Sequence, residues 1–528
     1  MMAKSESKQE SEEEGVLLSP RQRIAVVIGI LPAGMITGMD TFAVGVALPR
    51  MQGVLSATLL EISWILTAFL VAATVFTPMY GWLARRVGRR KLFLIIIVGF
   101  CSCAGLIAQS DSLEEIIFFR FCQGFFGAGF NPLLMQIVLA TFPVSQQGIA
   151  FGWLTTGRMS GIIVGPLLGG IMTEYFSWRF VFLTNIPLGM LAAYLVYLYV
   201  PRGHPENTKK FDIFGFLILG IAILALQYAL DQGQTLGWFD SIEIIGATLL
   251  SAGALYLFVG HIFLSRNPFL NPRVFANREF LIGLLFGFLL NFMVFGYAGL
   301  IPPILQNHMG YPVISTGFLM VPRGIGTMVS SLVAGAMLMK YSARPISALG
   351  ICCIGGSTCW LSFFTPDVNA VYISLALFIQ GAGFGFLSVS LTTVAFQSMS
   401  PSQRADGTSV LSLFRRLGSA IGVSVLVTQL ARSTQSARQV LSENYTAHNE
   451  LFKHLPLPEK WDLDSLPGLL SMEKVIDKQA EFIAYLHDFR LMTLLMFLLL
   501  PLVLVLRIKP PGEMEEHPKY TKSANKNR

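Results

Sequence analysis

Long apolar runs dominate the chain, separated by short polar segments. Their continuity predicts fourteen helical spans: 24–50, 61–83, 91–109, 114–140, 147–173, 179–200, 211–230, 242–264, 279–305, 313–340, 344–364, 369–397, 404–430 and 482–506. Each is roughly 20 residues or more, the length a helix needs to cross ~30 Å of hydrocarbon. The runs do not alternate apolar with polar, which excludes a membrane β-barrel. Two segments break the rhythm. Residues 201–278 contain a polar loop, two of the spans and the link "RNPFLNPRVFANRE". Residues 431–481 read as a long outer loop with room for amphipathic helices lying at the membrane surface.

Composition agrees with this reading. Of 528 residues, 53% are hydrophobic and 13% charged, against about a quarter charged in a soluble protein. The mean hydropathy is +0.61. A net charge of +7 could suggest a nucleic-acid partner, but the placement of the basic residues argues for none. With the N-terminus inside, Arg85, Arg86, Arg89, Arg90, Lys91, Arg202, Lys209, Lys210, Arg266, Arg273, Arg278, Lys340, Arg344 and Arg404 fall in inner loops. The short outer loops hold little beyond Arg50 and Arg179. This asymmetry is a topology signal, and it places both ends in the cytoplasm. The opening stretch is polar and acidic, so it reads as a disordered tail and not a signal peptide. All six cysteines lie inside spans, with no disulfide framework and no metal site. The seven histidines sit at span edges, in loops or in a tail, and form no catalytic constellation. An intramembrane enzyme is therefore strongly disfavoured.

The chain repeats itself. At a constant offset of 257, Gln123-Gly124 falls on Gln380-Gly381, Ser145-Gln146 on Ser402-Gln403, and "RMSGIIVG" on "RRLGSAIG". Two parallel six-helix repeats follow from this, an arrangement common in transporters, whose substrate site lies between the halves. The predicted organisation is a cytoplasmic tail at 1–23, an N-terminal six-helix bundle at 24–200 and a linker at 201–278 with two inserted helices. A C-terminal six-helix bundle follows at 279–507, including the extracytoplasmic loop 431–481, and then a cytoplasmic tail at 508–528. The fold class is an all-α membrane protein.

Four motifs carry chemistry. "GWLARRVGRRK" lies between spans two and three; Gly81 and Gly88 suit a close approach and a tight turn, and Arg85, Arg86, Arg89 and Arg90 could simply anchor topology. "FFRFCQGFFGAG" puts Arg120 inside span four, where a cation needs a partner unless it snorkels outward. "GIIVGPLLGG" sets Gly161, Gly165 and Gly169 on one helix face, around Pro166 and Gly170, a spacing that plain helix packing would explain. "GMDTFAVGVALP" places the carboxyl of Asp40 within an apolar run. Together with "SWRFVFLTNIPLG" and "LDQGQTLGWFDS", these patterns resemble the major facilitator superfamily, and within it the fourteen-span drug:proton antiporters.

The resemblance implies a major facilitator fold of fourteen transmembrane helices, two six-helix bundles plus two inserted helices. It also implies a cytoplasmic gate at Gly81–Arg90 and an antiporter motif at Gly161–Gly170. The family's gate has an acid where this chain has Arg85, which puts a carboxylate latch in doubt, since arginine accepts no hydrogen bond. One branch of the family tends to carry a basic residue there. A further implication is a multidrug exporter of the inner membrane that needs no cofactor beyond the proton gradient. The long loop would meet a periplasmic adaptor protein leading to an outer-membrane channel.

From the residues themselves, Asp40 and Arg120 lie at depths about 6 Å apart at ~1.5 Å per residue, within reach of an arginine side chain. Direct or water-mediated contact is expected, with Asp40 as a proton switch; a plain kink cap beside Gly38 is the bland alternative. Arg120 has Leu377 as its repeat mate, which assigns proton handling to the first half. Asp40 stands out as almost the only acid deep in a span, whereas Arg120, Arg158, Arg323 and Arg415 are all internal. This inventory favours neutral or weakly acidic amphiphilic small molecules, with a dedicated metabolite or siderophore exporter as the alternative. Phe42, Trp64, Gln123, Gln136, Arg158, Asn291, Tyr297, Gln306, Arg323 and Arg415 are the candidate cavity residues.

Overall fold

Ser19 opens the first helix, α1 (Pro20–Val54), through a capping box. Its hydroxyl accepts from the Gln22 amide at 3.3 Å, and the Gln22 side chain accepts from the Ser19 amide at 2.8 Å. The computed structural model describes residues 19–57, 59–202, 210–265, 268–397, 399–443 and 466–504. After α1 come α2 (Leu59–Phe76), α3 (Met79–Val87), α4 (Arg89–Gln109), α5 (Leu113–Gly127), α6 (Phe130–Thr141), α7 (Gln147–Tyr175), α8 (Trp178–Leu183) and α9 (Asn185–Tyr199). Next are α10 (Ile213–Gln232), α11 (Ile242–Leu264) and α12 (Arg278–Pro303), which ends in a π-helical turn at Ile304–His308. The rest are α13 (Val313–Met337), α14 (Ala343–Leu361), α15 (Ala370–Gln397), α16 (Pro401–Glu443), α17 (Leu466–Leu498) and α18 (Leu500–Leu504). Regular structure among the described residues is entirely helical.

Each predicted span falls on one or two of these helices. Eleven helical segments are long and apolar enough to cross a membrane, or twelve if α2 and α3, bent by 63°, are one span. The bend falls at Pro78, which has no amide hydrogen to continue the helix. Helices α7 and α14 have the length of a span but too many polar and small residues to join that set.

The loop expected at 431–481 is largely helix. α16 runs 43 residues without a break, about 65 Å at 1.5 Å per residue, and α17 begins at Leu466. Arg438 on α16 bonds Glu473 at 2.6 Å and Asp477 at 2.9 Å on α17, so the extensions travel side by side. Hydropathy sees only the apolar part of such a helix, which is why this projection read as a loop. Residues 444–465 and both tails at 1–18 and 505–528 lie outside the described residues.

Packing is organised by backbone contact between α1 and α7. A Cβ at Gly161 would overlap the Met35 carbonyl oxygen; one at Gly165 would come within 2.9 Å of the Met39 carbonyl oxygen, and one at Gly169 within 2.5 Å of that of Ala43. Gly418 and Gly422 on α16 meet the carbonyls of Phe288 and Phe292 on α12 in the same way. The α7 and α16 glycines are 257 apart, and their partners on α1 and α12 are 253 apart, so the sequence repeat is also a packing repeat. Helices α2, α4, α5 and α9 complete one group around α1 and α7. Helices α13, α14, α15 and α17 complete the other around α12 and α16, while α10 pairs with α11 and touches both α2 and α16. Large apolar side chains such as Leu249, Tyr256 and Leu264 of α11 face outward, as a lipid-exposed surface requires.

Gly161→Leu should strain this seam and lower stability by about 1–3 kcal/mol, as overpacking does. Gly170, whose Cβ would meet nothing within 4 Å, should accept alanine with an unchanged or slightly higher melting temperature. Thermal unfolding of the two purified variants in detergent checks the contrast.

Candidate functional site

Helix α1 is held so close to α7 that a Cβ at Gly38 would lie 2.9 Å from the Arg158 carbonyl oxygen. This seam fixes the height of Asp40, two residues on. The structure brings Asp40 and Arg120 into direct contact: Arg120 Nη1 donates to Asp40 Oδ2 at 2.8 Å, with both side chains 0% exposed. Asn185 at the start of α9 donates to Asp40 Oδ1 at 2.7 Å, and Gln123 does so at 3.4 Å. Arg120 Nε donates to the Ile65 carbonyl at 3.1 Å, and Nη1 also reaches Gln123 Oε1 at 2.7 Å. The guanidinium lies over the rings of Phe69 at 4.6 Å and Phe182 at 5.6 Å. Side chains or carbonyls from α1, α2, α5, α8 and α9 therefore meet at one ion pair. Removing either partner from such a pair leaves an uncompensated charge, at a cost of about 3–5 kcal/mol.

A second constellation lies between the two groups of helices. Arg158 of α7 and Arg415 of α16, mates in the repeat, line one central cavity of about 30 Å³, room for about two waters. Arg415 Nη2 donates to Thr392 at 2.5 Å, and Arg158 is close enough to repel both Arg415 and Arg416. Neither Arg158 nor Arg415 pairs with a carboxylate among the described residues. The cavity thus presents positive charge from both sides without a counter-ion.

The third constellation closes one end of the molecule, the end carrying the α3–α4 turn and its arginines (the basic end). Gly88 makes this turn at φ +87°, a conformation glycine adopts freely. Arg85 of α3 donates to Asp406 of α16 at 2.5 Å, and a Cβ at Gly81 would crowd Ala405, Asp406 and Ser409. Arg85 thus has a carboxylate partner, with the charges placed opposite to the arrangement expected from the resemblance. The cation is on the first group, and the acid comes from the second. Further ties join the groups nearby: Gln136 to Thr408 at 3.1 Å, Arg404 to the Leu139 carbonyl at 3.2 Å, and Thr156 to Ser331 at 3.1 Å. Arg86 stacks on Trp82 and Arg90 on Tyr197, both within α3–α4 and its neighbours.

Of the candidate cavity residues, Arg158 and Arg415 line the cavity. Gln123 belongs to the Asp40 network, and Gln136 to the ties between groups. Asn291 donates to the Gly287 carbonyl of its own helix at 2.8 Å. Tyr297 lies under Arg323 at 5.8 Å, away from the cavity, and Trp64 is 41% exposed. Phe42 and Gln306 are half-buried and are not among the lining residues. The near-absence of deep acids also needs correction, because Asp406 and Asp488 are both buried, at 4% and 0% exposure. Each lies near a span edge, where an acid reads as solvated. Asn185, within "SWRFVFLTNIPLG", is a site residue that sequence reasoning misses; its one signal is an amide just inside a span.

The Major Facilitator Superfamily profile matches residues 30–423. The chain is 29% identical over 435 residues to the multidrug export protein EmrB of Escherichia coli, covering 82% of this chain and 85% of that one. It is 30% identical over 490 residues to the probable multidrug resistance protein EmrY of Escherichia coli, covering 92% and 95%. To the fatty acid resistance protein FarB of Neisseria gonorrhoeae it is 28% identical over 480 residues, covering 90% and 93%. Among solved structures, the proton:xylose symporter XylE superposes with a TM-score of 0.59 at 13% identity, covering 92% of this chain and 97% of that one.

The Arg85–Asp406 contact makes a testable pair. Arg85→Ala or Asp406→Ala alone should shift the basic end toward an open arrangement, read as a longer distance between spin labels on the α3–α4 turn and the start of α16. A charge-assisted hydrogen bond of ~1.5–3 kcal/mol corresponds to roughly a tenfold or greater change in that population. The double reversal Arg85→Asp with Asp406→Arg should restore the short distance.

Proposed function

The chain belongs to the Major Facilitator Superfamily, and from that premise we propose that it is a proton-driven exporter of amphiphilic small molecules. As a membrane transporter it handles small solutes across a lipid bilayer and is not an enzyme. In this reading it crosses the inner membrane fourteen times with both termini in the cytoplasm. α7 and α14 then count as spans because they are shielded by other helices, and the basic end faces the cytoplasm.

The observation that carries the reading is the wholly buried Asp40–Arg120 pair. A carboxylate so placed has one simple chemical change available, the gain of a proton. Protonation neutralises Asp40, weakens its bond to Arg120 and frees Asn185 and Gln123 to repartner. Because the pair ties α1 to α2, α5 and α9, its loss changes the packing of one group and biases the two groups toward the opposite facing. A ligand or proton shifts such an equilibrium only as far as it binds one facing better than the other.

Cargo enters the same argument through Arg158 and Arg415. Their uncompensated charge supports neutral or weakly acidic amphiphiles over lipophilic cations. The name of one relative, a fatty acid resistance protein, is consistent with that choice. The small size of the cavity fits a conformation closed at the basic end, before or after cargo is held. The paired extensions of α16 and α17 supply a surface for a periplasmic adaptor protein and, through it, an outer-membrane channel.

In proteoliposomes, Asp40→Asn should abolish substrate-driven proton movement while detergent-purified protein remains monodisperse. Coupling that survives this substitution rejects the switch. Arg158→Gln should lower transport of an amphiphilic acid more than that of its neutral amide analogue. Equal losses, or a preference for a matched cation in the native protein, would reject the assignment of cargo.

A further inference from the structure

Asp488 lies on α17 in the second group of helices. It is 0% exposed, and neither carboxyl oxygen has a hydrogen-bond partner. Asp40 receives three donors. Asp488 receives none. A buried carboxylate without a donor is costly, whereas the neutral acid is tolerated.

The group is linked to the surface along one helix face. Glu481, Tyr485 and Asp488 stand at i, i+4 and i+7, spacings that bring side chains into line on a helix. The Glu481 side chain is 39% exposed at the end opposite the basic one, and His308 Nε2 of the π-helical turn lies 3.3 Å from its Oε2. Tyr485 Oη donates to Glu481 Oε1 at 3.5 Å, and the His308 ring sits 5.5 Å from the Tyr485 ring. Beyond Asp488, Phe489 stacks on Tyr297 at 5.5 Å. The Tyr297 hydroxyl is buried beside Gln380. Proton-carrying groups thus descend from an exposed acid to a buried one.

Among the described residues, no charged neighbour pairs with Asp488. From α16, Arg438 is engaged by Glu473 and Asp477 farther out. From α14 comes Thr358, bonded to Thr493 at 3.0 Å. On α17 itself Lys478, His487 and Arg490 are exposed, Lys478 lying near His308. Arg323 of α13 faces Tyr297.

We propose that Asp488 is a second proton-binding carboxyl, seated in the second group and loaded from the outer end through Glu481, His308 and Tyr485. The proposal rests on the proton-coupled reading above and revises its assignment of proton handling to the first group alone. The step is a proton transfer only: the carboxylate gains H⁺ from the outer medium on one facing and returns it on the other.

Infrared difference spectroscopy tests the group without requiring transport. Purified protein should show a protonated-carboxyl C=O band that is lost in Asp488→Asn and kept in Asp40→Asn. In proteoliposomes, Asp488→Asn should still export substrate but move one proton fewer per molecule, and Glu481→Gln, at an exposed position, should slow proton uptake. A band indifferent to Asp488→Asn, or an unchanged proton count, overturns the proposal. Since the band does not depend on export, its presence in a protein that moves no drug would fault the exporter reading and leave Asp488 as a proton site. Should Asp488→Asn fail to fold, Asp488→Glu must shift the band; a band left in place overturns the proposal.

Discussion

Asp40 and Arg120 are both sealed from solvent at a separation of 2.8 Å, and neither could be so alone. Hydrocarbon offers a charge nothing to bond, so each buried charge must be supplied with partners by the fold. Here the supply comes from Asn185 of α9, the Ile65 carbonyl of α2 and Gln123, one turn from Arg120 on α5. Those partners reach the pair because α1 lies in backbone contact with α7. Glycine at 161, 165 and 169 is what permits the contact. Packing and electrostatics are therefore one device: the small-residue seam sets the depth of the acid, and the ion pair fastens four helices together.

The two groups share a scaffold but differ in charge. Gly418 and Gly422 reproduce the seam, and Gln380 stands where Gln123 does. The arginine does not repeat: Leu377, fully buried, takes the place of Arg120, while Arg323 sits under no acid and faces Tyr297 instead. Repetition gives each group the same glycine seam between two helices. Divergence gives them different chemistry. Between them, Arg85 pairs with Asp406 at the basic end, and Arg158 and Arg415 line the cavity that both groups share.

Much of this was legible in the chain. Continuous apolar runs dictate helices because lipid leaves the backbone no other way to satisfy its hydrogen bonds, and every predicted span is helical. The repeat at 257 residues showed in a few glycines and amides because close packing tolerates no substitute there. The Asp40–Arg120 contact followed from depth arithmetic, since a helix climbs at a fixed rate and an apolar setting forces opposite charges together. Span number was read less well: the apolar runs number fourteen, whereas eleven or twelve described helical segments are long and apolar enough to cross a membrane, α7 and α14 falling short.

What the chain alone could not decide was which distant residues share a neighbourhood. Arg85 and Asp406 are 321 positions apart, and nothing local to either names the other. Asp488 looked like an edge residue until α17 proved to begin at Leu466, well outside the apolar stretch, which moved it from the rim to the interior. The length of α16 was hidden for the same reason: its last turns are polar, and they run beside α17, to which Arg438 is paired. Periodicity and apolarity act along the chain, so sequence specifies elements and depth. Burial and partnership act across it, so the sites wait on the tertiary fold.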